Sequence, residues 1–155
     1  MPHLSAGILM YRREDGGLRV LLVHPGGPFW RKRDLGAWSI PKGEVDEGEG
    51  VAAAARREFA EELGVAPAGE LRPLGRIRQK AGKWVEAFAL EGALDVASIR
   101  SNSVSIEWPP HSGRTETFPE VDRAEWFDLL TAREKILEGQ RPLLDRLAAL
   151  LGESA

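Results

Sequence analysis

The segment from Gly43 to Val65 constrains the fold most, because it joins a strong helix signal to a set of closely spaced carboxylates. Its run of alanines favours helix, and Gly64 is typical of a helix end. Asp46 and Glu49 have the three-residue spacing of a capping box at a helix start. We therefore predict one helix over residues 46–63.

The faces of this helix differ in chemistry, since each residue advances about 100° around the axis. Glu58, Glu61 and Glu62 fall within an arc of about 100°, and Arg57 stands four residues before Glu61. The adjoining arc carries the apolar side chains that we expect to face the core, Ala52, Ala55, Phe59 and Leu63. The acidic arc is either a solvated face relieved by the Arg57–Glu61 pair or a site for a hard divalent cation such as Mg²⁺.

Strand and helix signals alternate along the rest of the chain. Apolar or alternating runs predict strands over residues 5–12, 18–24, 37–40, 71–80, 84–90, 104–108 and 125–127. Further helices are predicted over residues 131–137, where Thr131 and Glu134 have capping-box spacing, and over residues 142–151, where Pro142 suits the first turn. This order favours one α/β domain over residues 1–155, with a mixed sheet covered by helices on two faces.

Composition narrows the classes of function. The chain has no cysteine, which excludes disulfides, zinc–thiolate sites and cysteine nucleophiles. That absence fits a reducing cytoplasm, where we expect the protein to work. The net charge of −3 argues against binding to long nucleic acids through overall charge. The apolar runs are too short for a membrane span, and the first residues lack the pattern of a signal peptide.

The fixed positions of the helical segment resemble the Nudix box, the motif of a family of hydrolases. The matching residues are Gly43, Glu49, Arg57, Glu58, Phe59, Glu61, Glu62, Gly64 and Val65. Every fixed position matches, and at ordinary residue usage such a match arises by chance in about one of 10⁷ chains. Phe59 is a mild departure, because the family usually has an aliphatic residue there.

The resemblance implies an alpha/beta/alpha sandwich and a reaction in which water attacks one phosphorus of a diphosphate. It also implies Mg²⁺ as the cofactor, with Mn²⁺ as a substitute. The implied metal ligands are Glu58, Glu61, Glu62 and the backbone carbonyl of Lys42. Arg57 resembles the arginine that holds a box glutamate in place, and the supporting positions are Gly43, Glu49 and Gly64.

The base that activates the water differs among members of the family. In some it is a box acid, for which Glu61 is the candidate here. In others it is a glutamate from a later loop, for which Glu120 and Glu116 are the candidates. A simple surface position is the alternative for either loop residue, since most acids are exposed.

Residues just before the box bear on the substrate. Trp38, Pro41, Lys42 and Gly43 resemble the lead-in of Nudix enzymes that cleave dinucleoside polyphosphates, and inositol-polyphosphate and RNA 5′-end members share versions of it. Lys42 offers a cation beside the metal, although Pro41 and Gly43 can also serve only to shape the helix entry. We predict a dinucleoside polyphosphate such as diadenosine tetraphosphate as the substrate. The alternatives are a nucleoside triphosphate pyrophosphatase and a non-catalytic Nudix-fold regulatory domain, which would be expected to have damaged box acids.

Cations outside the box suit the polyphosphate of a small-molecule nucleotide. Arg76, Arg78 and Lys80 alternate along one predicted strand and therefore share a face, and Lys83 follows. A solvated sheet face is the alternative. The predicted substrate contacts are Lys42, Arg31, Arg78, Lys80 and Trp84. The sequence leaves a monomer and a homodimer equally open.

Aromatic and histidine side chains supply further candidates. A base can stack on Trp30, Trp84 or Trp108, although each also suits core or rim packing. His24 and His111 flank proline-rich loops. Each suits acid–base catalysis or phosphate binding, and a plain surface position is the alternative.

Overall fold

The computed structural model describes residues 4–14, 16–79 and 82–152. Its strands are β1 (Leu4–Glu14), β2 (Gly17–Pro25), β3 (Lys42–Glu44), β4 (Arg72–Arg78), β5 (Trp84–Glu91), β6 (Ser103–Glu107), β7 (Thr115–Pro119) and β8 (Val121–Asp128). Its α-helices are α1 (Val51–Leu63), α2 (Leu129–Lys135) and α3 (Arg141–Leu151), with short 3₁₀ helices at Val96–Ser98 and Glu138–Gln140.

A mixed sheet forms the middle layer, as predicted. Its strand order is β4-β5-β1-β2-β8, and β3 pairs with the beginning of β1. The β1–β5 pair is parallel, whereas β1 pairs antiparallel with both β2 and β3. One apolar cluster lies between the sheet and α1, and a second lies on the opposite face beneath α2 and α3. The fold is therefore the mixed α+β sandwich that the sequence indicates.

The helix α1 is shorter than predicted, because it begins at Val51 and not at residue 46. Asp46 and Glu49 do exchange hydrogen bonds, at 3.0 Å each, but they close a turn ahead of the helix. Gly48 in that turn has a φ of 78°, which the right-handed helix excludes. Phe59 and Leu63 are buried as predicted, and full burial of each contributes about 1.5–3 kcal/mol. Ala52 is exposed, and the core position predicted for it belongs to Ala54.

Three other elements differ from those predicted from the sequence, because contacts that the local pattern does not reveal determine them. Within the strand predicted over residues 37–40, Trp38 and Ser39 form only isolated bridges, and the strand β3 begins after Pro41. The cap of α2 is Asp128, whose carboxylate accepts from the Thr131 backbone N–H at 2.7 Å, so this helix begins earlier than predicted. The polar strand β7 was not predicted, and it pairs with β6 in a separate two-stranded sheet.

Within the described ranges, no helix is long and apolar enough to cross a membrane.

Candidate active site

Arg57 is the centre of a polar network on α1. Its Nε and Nη2 donate to the two carboxylate oxygens of Glu49 at 2.8 and 3.0 Å. Its Nη1 donates to Glu58 at 2.9 Å and to Glu61 at 3.2 Å, while Nη2 also donates to the Glu44 carbonyl at 3.0 Å. Forked hydrogen bonds of this kind fix the guanidinium in one orientation. They also lower the pKa of Glu49 to about 2.

Glu58 and Glu62 turn inward from α1, whereas Glu61 is exposed. Burial raises the pKa of both inward carboxyls, and it raises that of Glu62 to about 9. Repulsion by Glu120, and then by Glu58, adds to the effect at Glu62. Lys42 partly offsets it, because this lysine attracts Glu62 and its backbone hydrogen-bonds that carboxyl. Burial in turn lowers the pKa of the Lys42 ammonium group.

A cavity of about 220 Å³ opens beside these carboxylates. Its polar lining consists of Ser39, Lys42, Glu62 and Glu120, and its apolar lining includes Trp30, Val23, Ile40, Val121 and Leu137. Glu62 and Glu120 are 58 positions apart in the sequence, so the fold and not the helix brings them together. The cavity thus joins an acidic end to an apolar wall.

Glu120 is held from the far side of the cavity by the loop after β2. The Gly26 backbone N–H donates to the Glu120 carbonyl at 2.9 Å. A β-carbon at position 26 would lie 1.9 Å from the Pro119 carbonyl oxygen, so only glycine fits there. This contact fixes the segment that carries Glu120 against the segment that carries Trp30.

Residues 1–147 match the profile of the NUDIX domain. The chain belongs to the Nudix family. This match confirms the predicted membership of the Nudix family, and the mixed sheet with its covering helices confirms the predicted fold.

Two curated relatives and one solved structure give this assignment its context. The chain is 28% identical to the RNA pyrophosphohydrolase of Rhodospirillum rubrum over an alignment of 171 positions, which covers 97% of this chain and 92% of that protein. It is 29% identical to an octanoyltransferase of Myxococcus xanthus over 149 residues, but it spans only 37% of that longer protein. The Ap4A hydrolase of C. elegans in a binary complex superposes with a TM-score of 0.65 at 24% identity, covering 96% of this chain and 98% of that one.

The carboxylates fit a divalent metal by their chemistry. Nudix hydrolases generally use such metals, and the inward acids of this chain offer the oxygen donors that a hard cation prefers. Glu62 is only 5% exposed and faces repulsion from Glu58 and Glu120, which a bound cation would relieve. Among the described residues, no group of three or more His, Cys, Asp or Glu side chains already converges as a metal cage. Glu58 and Glu61 are instead engaged by Arg57.

The predicted substrate contacts separate into two groups. Lys42 lines the cavity, whereas Arg31 and Arg78 are exposed and are not among its lining residues in the described part of the chain. Arg78 lies 5.9 Å over the ring of Trp84 on the β4–β5 hairpin. Lys80 lies outside the described residues. The hairpin lies near the site, because the charge of Lys83 adds to burial in lowering the pKa of Lys42.

The remaining acid and histidine candidates lie in different environments. Glu116 is exposed on β7, opposite Ile106, so the structure does not bring it to the cavity. His111 is exposed, as its surface alternative expected. The surface alternative is wrong for His24, which is fully buried against Trp38, with ring centroids 5.1 Å apart.

Sequence reasoning missed Gln140, a fully buried amide behind the cavity wall. Its Oε1 accepts from the Ile40 backbone N–H at 3.0 Å, and its Nε2 donates to Ser39 Oγ at 2.9 Å and Gln79 Oε1 at 3.3 Å. Gln140 thereby holds the segment that leads into Lys42. A lone glutamine in a 3₁₀ helix carries no sequence signal, so only the fold identifies this role.

Proposed function

We propose that this chain is a Mg²⁺-dependent pyrophosphohydrolase that cleaves a diphosphate bond in nucleoside diphosphate-linked substrates, with dinucleoside polyphosphates as its preferred class. The observation that carries the proposal is the cavity in which Trp30 and an apolar wall meet Lys42, Glu62 and Glu120. Such a mixture of apolar walls and a few convergent polar groups is typical of ligand sites.

The proposed ligands of the metal are Glu58, Glu61, Glu62 and the Lys42 carbonyl. When bound, the metal supplies charge neutralisation for the diphosphate and acidity for the attacking water. Arg57 orients Glu58 and Glu61 for this role through the hydrogen bonds described above.

We propose two candidates for the base that accepts the proton of the water. Glu120 lines the cavity together with Glu62, which supports the loop candidate. Glu61 is exposed and bonded to Arg57, which supports a role in holding the metal shell together with that arginine. We therefore favour Glu120 as the base, with Glu61 as the alternative.

The size of the cavity bears on the substrate. Full ligand sites have volumes of about 300–1,000 Å³, so 220 Å³ holds one part of a substrate and leaves the rest outside. A nucleoside of a dinucleoside polyphosphate fits this division, with its base against Trp30 and its phosphates passing Lys42. Lys83 continues the positive charge toward the hairpin.

A panel of substrates tests the proposal. Diadenosine tetraphosphate, nucleoside triphosphates and ADP-ribose are assayed with Mg²⁺, with Mn²⁺ and with EDTA, and ranked by kcat/KM. We expect the dinucleoside tetraphosphate to rank first, with activity that disappears in EDTA. Lack of turnover on every diphosphate with either metal would sink the enzymatic proposal and favour a regulatory Nudix domain.

RNA 5′ ends are the second candidate, and the RNA pyrophosphohydrolase of Rhodospirillum rubrum supports them. A short 5′-triphosphorylated RNA belongs in the same panel, with release of pyrophosphate as the readout. A kcat/KM for this RNA above that for diadenosine tetraphosphate would reverse the ranking.

A further inference from the structure

His24 lies at the end of β2 between two oxygen acceptors. Its Nδ1 is 2.9 Å from the Asp122 carboxylate, and its Nε2 is 2.6 Å from the Arg33 backbone carbonyl. Both contacts are within hydrogen-bond distance, and both partners are oxygen atoms. The fully buried ring therefore contacts the strand β8 and the loop after β2 at the same time.

The partners of His24 lie on the two borders of the cavity. Arg33 closes a turn with Trp30, because its N–H donates to the Trp30 carbonyl at 2.9 Å, and its guanidinium lies 5.6 Å from the Trp30 ring. Asp122 comes two residues after Glu120, and Val121 between them lines the cavity. One side chain thus ties the border that carries Trp30 to the border that carries Glu120.

We propose that His24 is a positioning residue that sets the distance between the aromatic wall and the acidic end of the cavity. The proposal rests on the proposed function for its effect on catalysis, but the tether itself is a property of the fold. Hydrogen bonds to charged groups are stronger than neutral ones. Loss of either bond leaves a polar group without its partner at the cavity border.

The tether is tested first without substrate. Hydrogen exchange is measured at the backbone amides of residues 26–36 and 119–123 in the wild type, in His24→Gln and in Asp122→Asn. Asp122 is one-third exposed, so its substitution keeps the test valid if the histidine variant fails to fold. Asp145→Asn is the matched control, because it removes one charge from an ion pair with Arg133, and neither residue is among the lining residues of the cavity in the described part of the chain. Because an asparagine Oδ1 can still accept from the ring, Asp122→Ala is measured beside Asp122→Asn. We expect faster exchange in both segments for His24→Gln and Asp122→Ala and no change in the control; unchanged exchange in either segment of these two variants overturns the tether.

A double-mutant cycle with Trp30 then tests positioning. We expect His24→Gln to raise KM for the preferred substrate by about tenfold, the factor for one lost charge-assisted hydrogen bond. In a Trp30→Ala background the same change is expected to raise KM by less than about twofold, because coupled residues are not additive. Equal effects in both backgrounds overturn the positioning role. A wild type without turnover would overturn the proposed function instead, and the exchange measurement would still decide the tether.

Discussion

The carboxyl group of Glu58 occupies the space that a side chain at Gly43 would need. A β-carbon at position 43 would lie 2.1 Å from the Glu58 carboxyl carbon and 2.1 Å from its Oε2. Gly43 lies in β3, opposite Ala6 of β1, and has no left-handed φ that would demand glycine for conformational reasons. The first position of the box is thus glycine because an acid of the helix packs on the strand.

Gly43→Ala is therefore expected to displace Glu58 without unfolding the chain. Overpacking of this kind costs about 1–3 kcal/mol, and the loss of a correctly placed acid lowers kcat/KM by about 10–100-fold. Steady-state kinetics, Mg²⁺ titration and thermal unfolding measure these effects. Gly17→Ala is the matched control, because position 17 is also in a strand and has no atom within 4 Å of an added β-carbon. Equal activities of the two variants would contradict the packing explanation.

Removing the charge of Glu62 is expected to stabilise the metal-free protein at high pH. The folded-state pKa of Glu62, about 9, lies above its ordinary value of 4.5. A raised carboxyl pKa contributes stability that is fully present below pH 4.5 and is lost as the pH rises through 9. In Glu62→Gln the side chain stays neutral at every pH. We therefore expect its free energy of unfolding in EDTA to increase relative to that of the wild type between pH 5 and 9, by about 1–3 kcal/mol.

Urea unfolding at several pH values measures that gain, and Glu47→Gln, an exposed glutamate, is the control. The same Glu62→Gln variant is expected to lose most of its activity with Mg²⁺, because an amide does not replace the charge of a carboxylate ligand. A constant stability difference from pH 5 to 9 would show that burial does not hold this proton.

Replacing Arg57 by lysine is expected to lower kcat/KM by about 10–100-fold. A lysine ammonium cannot hold both oxygens of Glu49 and also reach Glu58 and Glu61, because it lacks the planar fork of arginine. Arg56→Lys is the matched control on the same helix, since Arg56 donates to the backbone carbonyls of Pro67 and Gly69, which lie outside the acidic cluster. Similar losses in the two variants would point to helix stability and not to the acids.

Trp30→Ala is expected to weaken substrate binding while leaving the metal site intact. Stacking of a base on an aromatic ring contributes about 1–3 kcal/mol, so KM is expected to rise by about 5–150-fold. Trp84→Ala distinguishes two of the three predicted stacking sites, because Trp84 is 36% exposed on the hairpin and Trp30 lines the cavity. A larger KM effect for Trp84 would move the nucleoside to the β4–β5 hairpin.

The sequence predicted those features that local periodicity and motif spacing determine. The core stripe of α1 around Phe59 and the pairing of Arg57 with Glu61 follow from helical geometry. The predicted helix start was wrong because Asp46 and Glu49 close a separate turn, in which Gly48 has a left-handed φ that the helix excludes. The inward turn of Glu58 and Glu62 depends on the packing of α1 against β1 and β3, which a helical wheel does not include, so the wheel alone treats all three acids alike.

The cavity was less predictable than the helix. Glu120 was one of two loop candidates, and the turn between β7 and β8 places it beside Glu62 while Glu116 remains outside. Nothing in the local pattern separated the two, because their difference depends on the pairing of β7 with an equally polar strand. The buried amide of Gln140 and the buried ring of His24 are likewise tertiary features.

The hydrogen bond between Gly26 and Glu120 also separates two tasks for protein engineering. The loop beyond this glycine carries Trp30, while the acid on the other side of the bond stays fixed to the strand β8. A library that varies the residues of positions 28–32 at constant length, with Gly26, His24 and Arg33 kept constant, would therefore change the shape of the aromatic wall while both contacts to the acidic end stay in place. Substrate preference and hydrolytic chemistry can in this way be selected independently.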